Sequence, residues 1–185
     1  MHEQSDSLKL RIGAVSSTIY LQFQTLQKNM MALNTSTATA TDRDLVIERI
    51  FDAPRELVFD AWSKPEHLVH WWGPKDFSLP FCEIDFRVGG SYRFCMRSPE
   101  REDHWVRGVY RDIVETERIV LTWNREDSNG TIWSSTVIEL TFTDGDMGTV
   151  FTLRQGLFET GPYCQEHRFG WNECLDRLGS FVESL

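Results

Sequence analysis

From Phe77 to Gln155 the chain reads as six short strands separated by tight turns, and a single long amphipathic helix follows. That order constrains the fold more than any other feature. Strands are predicted at 76–86, 91–97, 104–114, 118–124, 132–143 and 148–155. The turns between them are too short for crossovers: Gly89-Gly90, Ser98 to Asp103, Glu115 to Glu117, Ser128-Asn129-Gly130 and Asp144-Gly145-Asp146. Strands joined this tightly form an antiparallel meander. The helix is predicted from Gly161 to Ser184, with Pro162 in its first turn. Trp171, Cys174, Leu175, Leu178, Val182 and Leu185 recur along it at three- and four-residue spacing, and His167 lies one turn before Trp171 on the same stripe. At 1.5 Å per residue it is roughly 35 Å long. A sheet served by one such helix must curl around it to bury both, and that shape can keep a hollow between them.

Upstream, Leu45 to Phe51 (LVIERIF) reads as a seventh strand. Asp52 is a candidate cap for the helix that follows, and Pro54 suits its first turn. Leu57, Val58, Ala61 and Trp62 then recur at helical spacing. A second short helix is predicted from Pro65 to Trp71 or Trp72, where Gly73-Pro74 stops it. The fold class is therefore α+β, with residues 42–185 as one domain. Residues 1–41 read differently. Ile12 to Leu26 is mildly apolar but too short to span a bilayer, and NTSTATAT (Asn34 to Thr41) is a low-complexity linker. The segment is expected to be a disordered extension, dispensable for folding.

The net charge of −9 lies on the body, because residues 1–41 carry one net positive charge and leave −10 for the rest. An acidic body disfavours nucleic acid as a partner, since phosphate binding needs a basic footprint. It also disfavours adsorption to anionic membranes. The four cysteines, at 82, 95, 164 and 174, have neither CxxC nor zinc spacing. They are read as small apolar residues of a reduced, cytoplasmic protein.

Faces follow from parity. Tyr92, Phe94 and Met96 alternate with Arg93, Cys95 and Arg97, so the first three face inward. Val106, Gly108 and Tyr110, then Leu121 and Trp123, then Thr149, Phe151 and Leu153 take the same face, and Gly108 leaves room for a cavity or a bend. In the first hairpin a three-residue loop, Val88-Gly89-Gly90, sets Phe86 opposite Tyr92 and Ile84 opposite Phe94. That register also sets Asp85 opposite Arg93 as a cross-strand ion pair.

Four stretches carry a family resemblance: ERIFDAPRELVFDAWSKPEHLVHWWGP, CEIDFRVGG, GVYRDIVETERIVLTW and the GW of HRFGWNECLDRL. Together they resemble the START-like (SRPBCC) helix-grip superfamily, and within it the branch of homologues of the activator of the 90-kDa heat-shock protein's ATPase. The likeness spans residues 44–185. It implies a seven-stranded curved antiparallel sheet wrapped around the C-terminal helix, with two short helices after the first strand. It also implies a hydrophobic ligand held between helix and sheet, and its branch name brings in chaperones and the stress response. The chaperone activator proper has a large additional N-terminal domain, so the branch name does not by itself assign this chain's role.

The leading expectation is a binding module for a small hydrophobic molecule, aromatic or polyketide-like. The alternatives are a co-chaperone acting through the outer surface and an enzyme of cyclase, aromatase or dehydratase type. Trp71 and Trp72 end the second helix, where they either plug the fold or stand at the mouth of a cavity. Tyr92, Phe94, Met96, Tyr110, Trp123 and Phe151 line the concave sheet, and His167 and Trp171 face them from the long helix. Trp171 is expected to touch the sheet near Phe94 and Tyr110. An adaptable apolar pocket uses such a lining, and so does an ordinary core. No GxSxG, HExxH or phosphate loop is present, so no catalytic residue, metal or cofactor is assigned. His67 and His70 are read as a solvated face, and His104 as an exposed residue at the start of a strand. The expected partners are a small hydrophobic molecule and, on the alternative reading, a chaperone, for a chain acting as monomer or homodimer.

Overall fold

In the computed structural model, which describes residues 43–185, the element order is β1 (Leu45–Phe51), α1 (Arg55–Ser63), α2 (Pro65–Trp71), β2 (Ser78–Ile84), β3 (Ser91–Arg97), β4 (Asp103–Val114), β5 (Arg118–Glu126), β6 (Ile132–Gly145), β7 (Gly148–Gly156) and α3 (Gly161–Val182). The reading of residues 1–41 as a disordered extension falls outside the described residues. One antiparallel sheet holds all seven strands in the order β1-β7-β6-β5-β4-β3-β2. β2 to β7 form the meander. β1 returns to the far edge of β7, with Leu45 opposite Gln155 and Phe51 opposite Thr149. There the buried Thr149 hydroxyl donates to the Ala53 carbonyl at 2.7 Å, which ties the start of the chain's first helical turn to the sheet.

α3 begins where the Thr160 hydroxyl accepts a hydrogen bond from the Tyr163 amide, with Pro162 in the first turn. Cys164, His167, Trp171, Cys174, Leu175, Leu178 and Val182 form its buried stripe. The stripe meets the inward residues of the sheet, all of them buried as parity requires: Tyr92, Phe94, Met96, Val106, Tyr110, Leu121, Trp123, Phe151 and Leu153. α1 packs against β6, β7 and α3, while α2 packs against α3 and β2. This is the helix-grip arrangement. No helix among the described residues is long and apolar enough to cross a membrane.

Three local expectations are corrected. The first hairpin is wider than a three-residue loop allows: Ile84 faces Tyr92, Cys82 faces Phe94, and Glu83, not Asp85, faces Arg93. Inward and outward parity survives because the register shifts by two. In this loop Gly90 packs so closely on the Asp85 carbonyl that a Cβ there would lie 2.0 Å from the oxygen. Asp85 therefore turns into the loop and pairs with Arg87 at 2.8 Å. Arg93 instead reaches Glu126 at 2.9 Å, where Arg107 also arrives at 3.0 Å.

Asp52 does not cap α1. The helix starts from Pro54, whose carbonyl accepts from the amides of Leu57 and Val58, and no side chain caps it. Gly108 does not open a cavity either. A Cβ there would stand 2.0 Å from the Thr122 carbonyl and 2.7 Å from the Tyr92 ring. The Tyr92 side chain occupies that space and its hydroxyl donates to the Thr122 carbonyl at 2.6 Å.

Candidate functional site

The site grows from the end of α2. Trp71 is its last residue and Trp72 its C-cap, with an extended backbone (φ −66°, ψ 132°). The two indoles stay in contact at 5.2 Å and both meet Trp62, but their other partners differ. Trp71 is fully buried, meets Trp62 at 4.8 Å between ring centroids, and donates to the Ala61 carbonyl at 3.1 Å. Trp72 turns toward the sheet and α3, 4.7 Å from Phe94, 6.0 Å from Trp123 and 5.8 Å from Trp171. The loop beyond it is held by Arg177 of α3, whose Nη1 lies 2.9 Å from the carbonyls of both Gly73 and Pro74 and 3.2 Å from that of Phe77. Gly73 takes a positive φ of 99°, which glycine adopts without strain.

Trp171 is anchored from the other side. Its indole N–H donates to Gln155 Oε1 at 2.7 Å, and Gln155 Nε2 donates to the Thr136 hydroxyl at 2.8 Å. The Gln155 side chain is buried, so every polar atom of this link is satisfied inside the core. Trp171 then meets Trp123 at 5.3 Å, Trp72 at 5.8 Å and Trp62 at 6.0 Å. Its ring partners are these three rather than Phe94 and Tyr110, which Trp72 and Tyr92 cover.

Between α3, the loop after α2 and the ends of β3, β4 and β5 lies an open cleft of about 210 Å³. Trp72, Met96, Trp123, His167 and Trp171 line it, as do Pro74, Phe77, His104, Arg125, Glu166, Gly170 and Cys174. Deeper toward α1 the interior is nearly solid. A void of about 10 Å³ remains beside Tyr92, Phe94 and Tyr110, at the lower limit for a single water. Trp71 and Phe151 border neither space; Phe151 stacks on Trp62 at 5.6 Å. Of the ten residues singled out from sequence, five thus meet at the cleft and five pack behind it.

Two of the residues missed from sequence follow from parity carried further. His104 shares the inward face of Val106 and Tyr110, and it lies opposite Met96 rather than in an exposed loop. Its ring packs on Phe77 at 5.7 Å. Arg125 shares the inward face of Leu121 and Trp123, on a strand that runs to Glu126 rather than stopping at 124. Glu166, Gly170 and the loop residues Pro74 and Phe77 arrive only through tertiary packing. His67 and His70 lie apart, against Phe181 at 5.5 and 5.2 Å.

The protonation states follow from burial. Burial, and secondarily the nearby Arg125 charge, lowers the His167 pKa to about 4, against the upward pull of the Tyr163 carbonyl. Burial, with Arg125 second, also lowers that of His104. Both rings are neutral at pH 7. His167 Nδ1 sits 3.1 Å from the Tyr163 carbonyl, so it carries the proton and leaves a lone pair on Nε2. His104 Nδ1 lies 3.4 Å from Arg125 Nη2, so it accepts, and the His104 proton sits on Nε2. Burial pushes the phenols of Tyr92 and Tyr110 up, which keeps them protonated, and drives the Cys174 thiol to about 12, which keeps it from acting as a thiolate. The cleft is thus an apolar, aromatic opening with a few fixed polar groups. Among the described residues no group of three or more His, Cys, Asp or Glu side chains is placed to hold a metal.

The family model described as Activator of Hsp90 ATPase homolog 1-like protein matches residues 52–183. No curated protein matches the chain. Among solved structures, a Chromobacterium violaceum protein is 26% identical, with 76% of this chain and 97% of that one covered and a TM-score of 0.66. The AHSA1 protein of Silicibacter pomeroyi is 22% identical over 76% of this chain and 97% of its own, with a TM-score of 0.70. An Arthrobacter aurescens protein, at 19% identity, reaches a TM-score of 0.71 over 82% of this chain and 92% of its own.

Proposed function

Given that the chain belongs to the family of Activator of Hsp90 ATPase homolog 1-like proteins, we propose that its helix-grip body is a receptor for a small molecule with a flat, apolar ring. The molecule sits in the cleft against Trp72, Met96, Trp123, His167 and Trp171. One observation carries this reading: the interior is packed almost solid beside Tyr92 and Phe94, yet about 210 Å³ stays open where three indoles converge. Drug-sized pockets occupy about 300–1,000 Å³, and a cavity of about 150 Å³ holds one benzene. The cleft therefore suits one ring or two fused rings rather than a polyketide chain. Tyr92, Phe94 and Tyr110 support the lining from behind.

Gly170 supplies the test. It faces the cleft from α3, and a Cβ added there meets only Pro74 Cγ, at 3.8 Å. Gly170→Leu should fill the opening without removing any packing, and a helix-interior glycine replaced by leucine gains about 0.5–1 kcal/mol of helix propensity. Titration of the parent with naphthalene derivatives should quench tryptophan fluorescence and raise the melting temperature. Gly170→Leu should melt as high as the parent and lose the response. An unchanged response in that variant, or none in the parent, would refute the reading. Stimulation of a purified chaperone ATPase that survives Gly170→Leu would place the activity on the outer surface instead.

A further inference from the structure

Three residues of the cleft lining carry buried hydrogen-bond donors that nothing accepts from. The indole N–H groups of Trp72 and Trp123 are buried without an acceptor, and both rings line the opening. Arg125 Nε, on the same lining, is also buried and unmet. Arg125 has no ion-pair partner among the described residues. Its Nη2 lies 3.4 Å from His104 Nδ1, and its guanidinium sits over Trp133 at 5.4 Å. Some other arginines of the sheet are matched by carboxylates, Arg97 by Asp103 and Arg93 and Arg107 by Glu126, whereas Arg111 and Arg154 meet none among the described residues. A buried donor without an acceptor is costly, and three of them belong to residues that line one opening.

We infer that the ligand of this cleft is a ring compound bearing a carboxylate, with its ring against Trp72, Trp123 and Trp171 and its carboxylate on Arg125. The inference rests on the cleft being a ligand site, as proposed above. A guanidinium offers a planar fork that matches the two carboxylate oxygens, and indole N–H groups beside it only donate. His104, protonated on Nε2, adds another donor nearby. The local field agrees, because the Arg125 charge acts with burial to hold both His104 and His167 neutral. Glu166 on the rim is exposed and opposes an anion only weakly. The −9 charge is the sum over the whole chain, and at physiological salt charges beyond about 8 Å are screened.

Calorimetric titration of the full chain with 1-naphthoate and with uncharged 1-naphthalenemethanol separates this inference from the reading it rests on. Naphthoate should bind about tenfold tighter or more, and raised salt should reduce that preference. Arg125→Gln should erase the preference of naphthoate over the alcohol, and Arg125→Lys should keep part of it. Equal binding of the two probes by the parent overturns the carboxylate and leaves the cleft standing. A preference that survives Arg125→Gln overturns the role of Arg125. Binding of neither probe overturns both. The comparison of probes and of salt on the parent decides the matter even if the variants fold poorly.

Discussion

Trp171→Ala tests the architecture of the site most directly, because this one side chain is both core and lining. The ring meets three other indoles at 5.3 to 6.0 Å and is 5% exposed. Truncating a buried tryptophan to alanine costs about 3–5 kcal/mol. One side of the ring borders the cleft and has few partners there, which places the packing loss near the lower end of that range. The substitution also strips the acceptor Gln155 Oε1 of its donor, and an unmet buried acceptor costs about 1–3 kcal/mol. The expected total is about 4 kcal/mol. Trp171→Phe keeps one six-membered ring but loses the N–H and the rest of the pyrrole ring, so it should cost about 1–3 kcal/mol from Gln155 plus a smaller packing loss. Urea unfolding followed by circular dichroism measures both, and naphthalene binding is read on the same samples. A Trp171→Ala cost below about 1.5 kcal/mol would refute the packing argument. Unchanged naphthalene binding in a folded Trp171→Phe or Trp171→Ala protein would separate the ring from the ligand site.

Three further outcomes are expected. The folded-state pKa of His167, at about 4, lies below its ordinary value of 6.5, so between these values the unfolded chain binds the extra proton and stability falls as pH falls. The contribution is complete above pH 6.5 and lost by about pH 4, at most roughly 3 kcal/mol; His167→Gln should flatten the slope of unfolding free energy against pH in that window, and an identical slope would place the titration elsewhere. Gly108→Ala should destabilise by about 1–3 kcal/mol or more, since its Cβ would strike the Thr122 carbonyl and the Tyr92 ring; a neutral effect in thermal melts would mean that the strand has slack. In double-mutant cycles Arg93 should couple to Glu126, whose carboxylate is buried at 1% exposure, more strongly than it couples to Asp85. The Arg93–Asp85 coupling should be negligible and that with Glu126 about 1–3 kcal/mol, and the reverse ranking would restore the narrower hairpin.

The order of elements, the seven strands, the inward faces of β2, β3, β4, β5 and β7 and the stripe of the long helix are all legible in the sequence. They depend on local periodicity: side chains alternate every second residue in a strand and recur every three or four in a helix, whatever packs against them. That is why the alternation alone places Tyr92, Phe94 and Trp123 inside and the helical spacing places Trp171 with them. It is also why a two-residue register error at Gly90 leaves every face correct. Parity equally holds the inward positions of His104 and Arg125, which a loop reading of the first and an early end to the strand of the second conceal.

What meets what is settled only by packing the whole chain. The pairing of β1 with β7 joins residues about a hundred apart in sequence, and no local pattern encodes which edge a returning strand selects. Inward direction does not separate core from opening. Phe151 and Trp171 both face the interior, but Phe151 stacks on Trp62 while Trp171 borders the cleft. That difference depends on the space left by α1, the Arg177-held loop and Gly170, which belong to three separate parts of the chain. Whether a polar atom is satisfied is decided in the same way. Gln155 finds the Trp171 indole across the core, while the indole N–H groups of Trp72 and Trp123 and the Nε of Arg125 find nothing, because hydrogen bonding depends on distance and direction in three dimensions rather than on residue type.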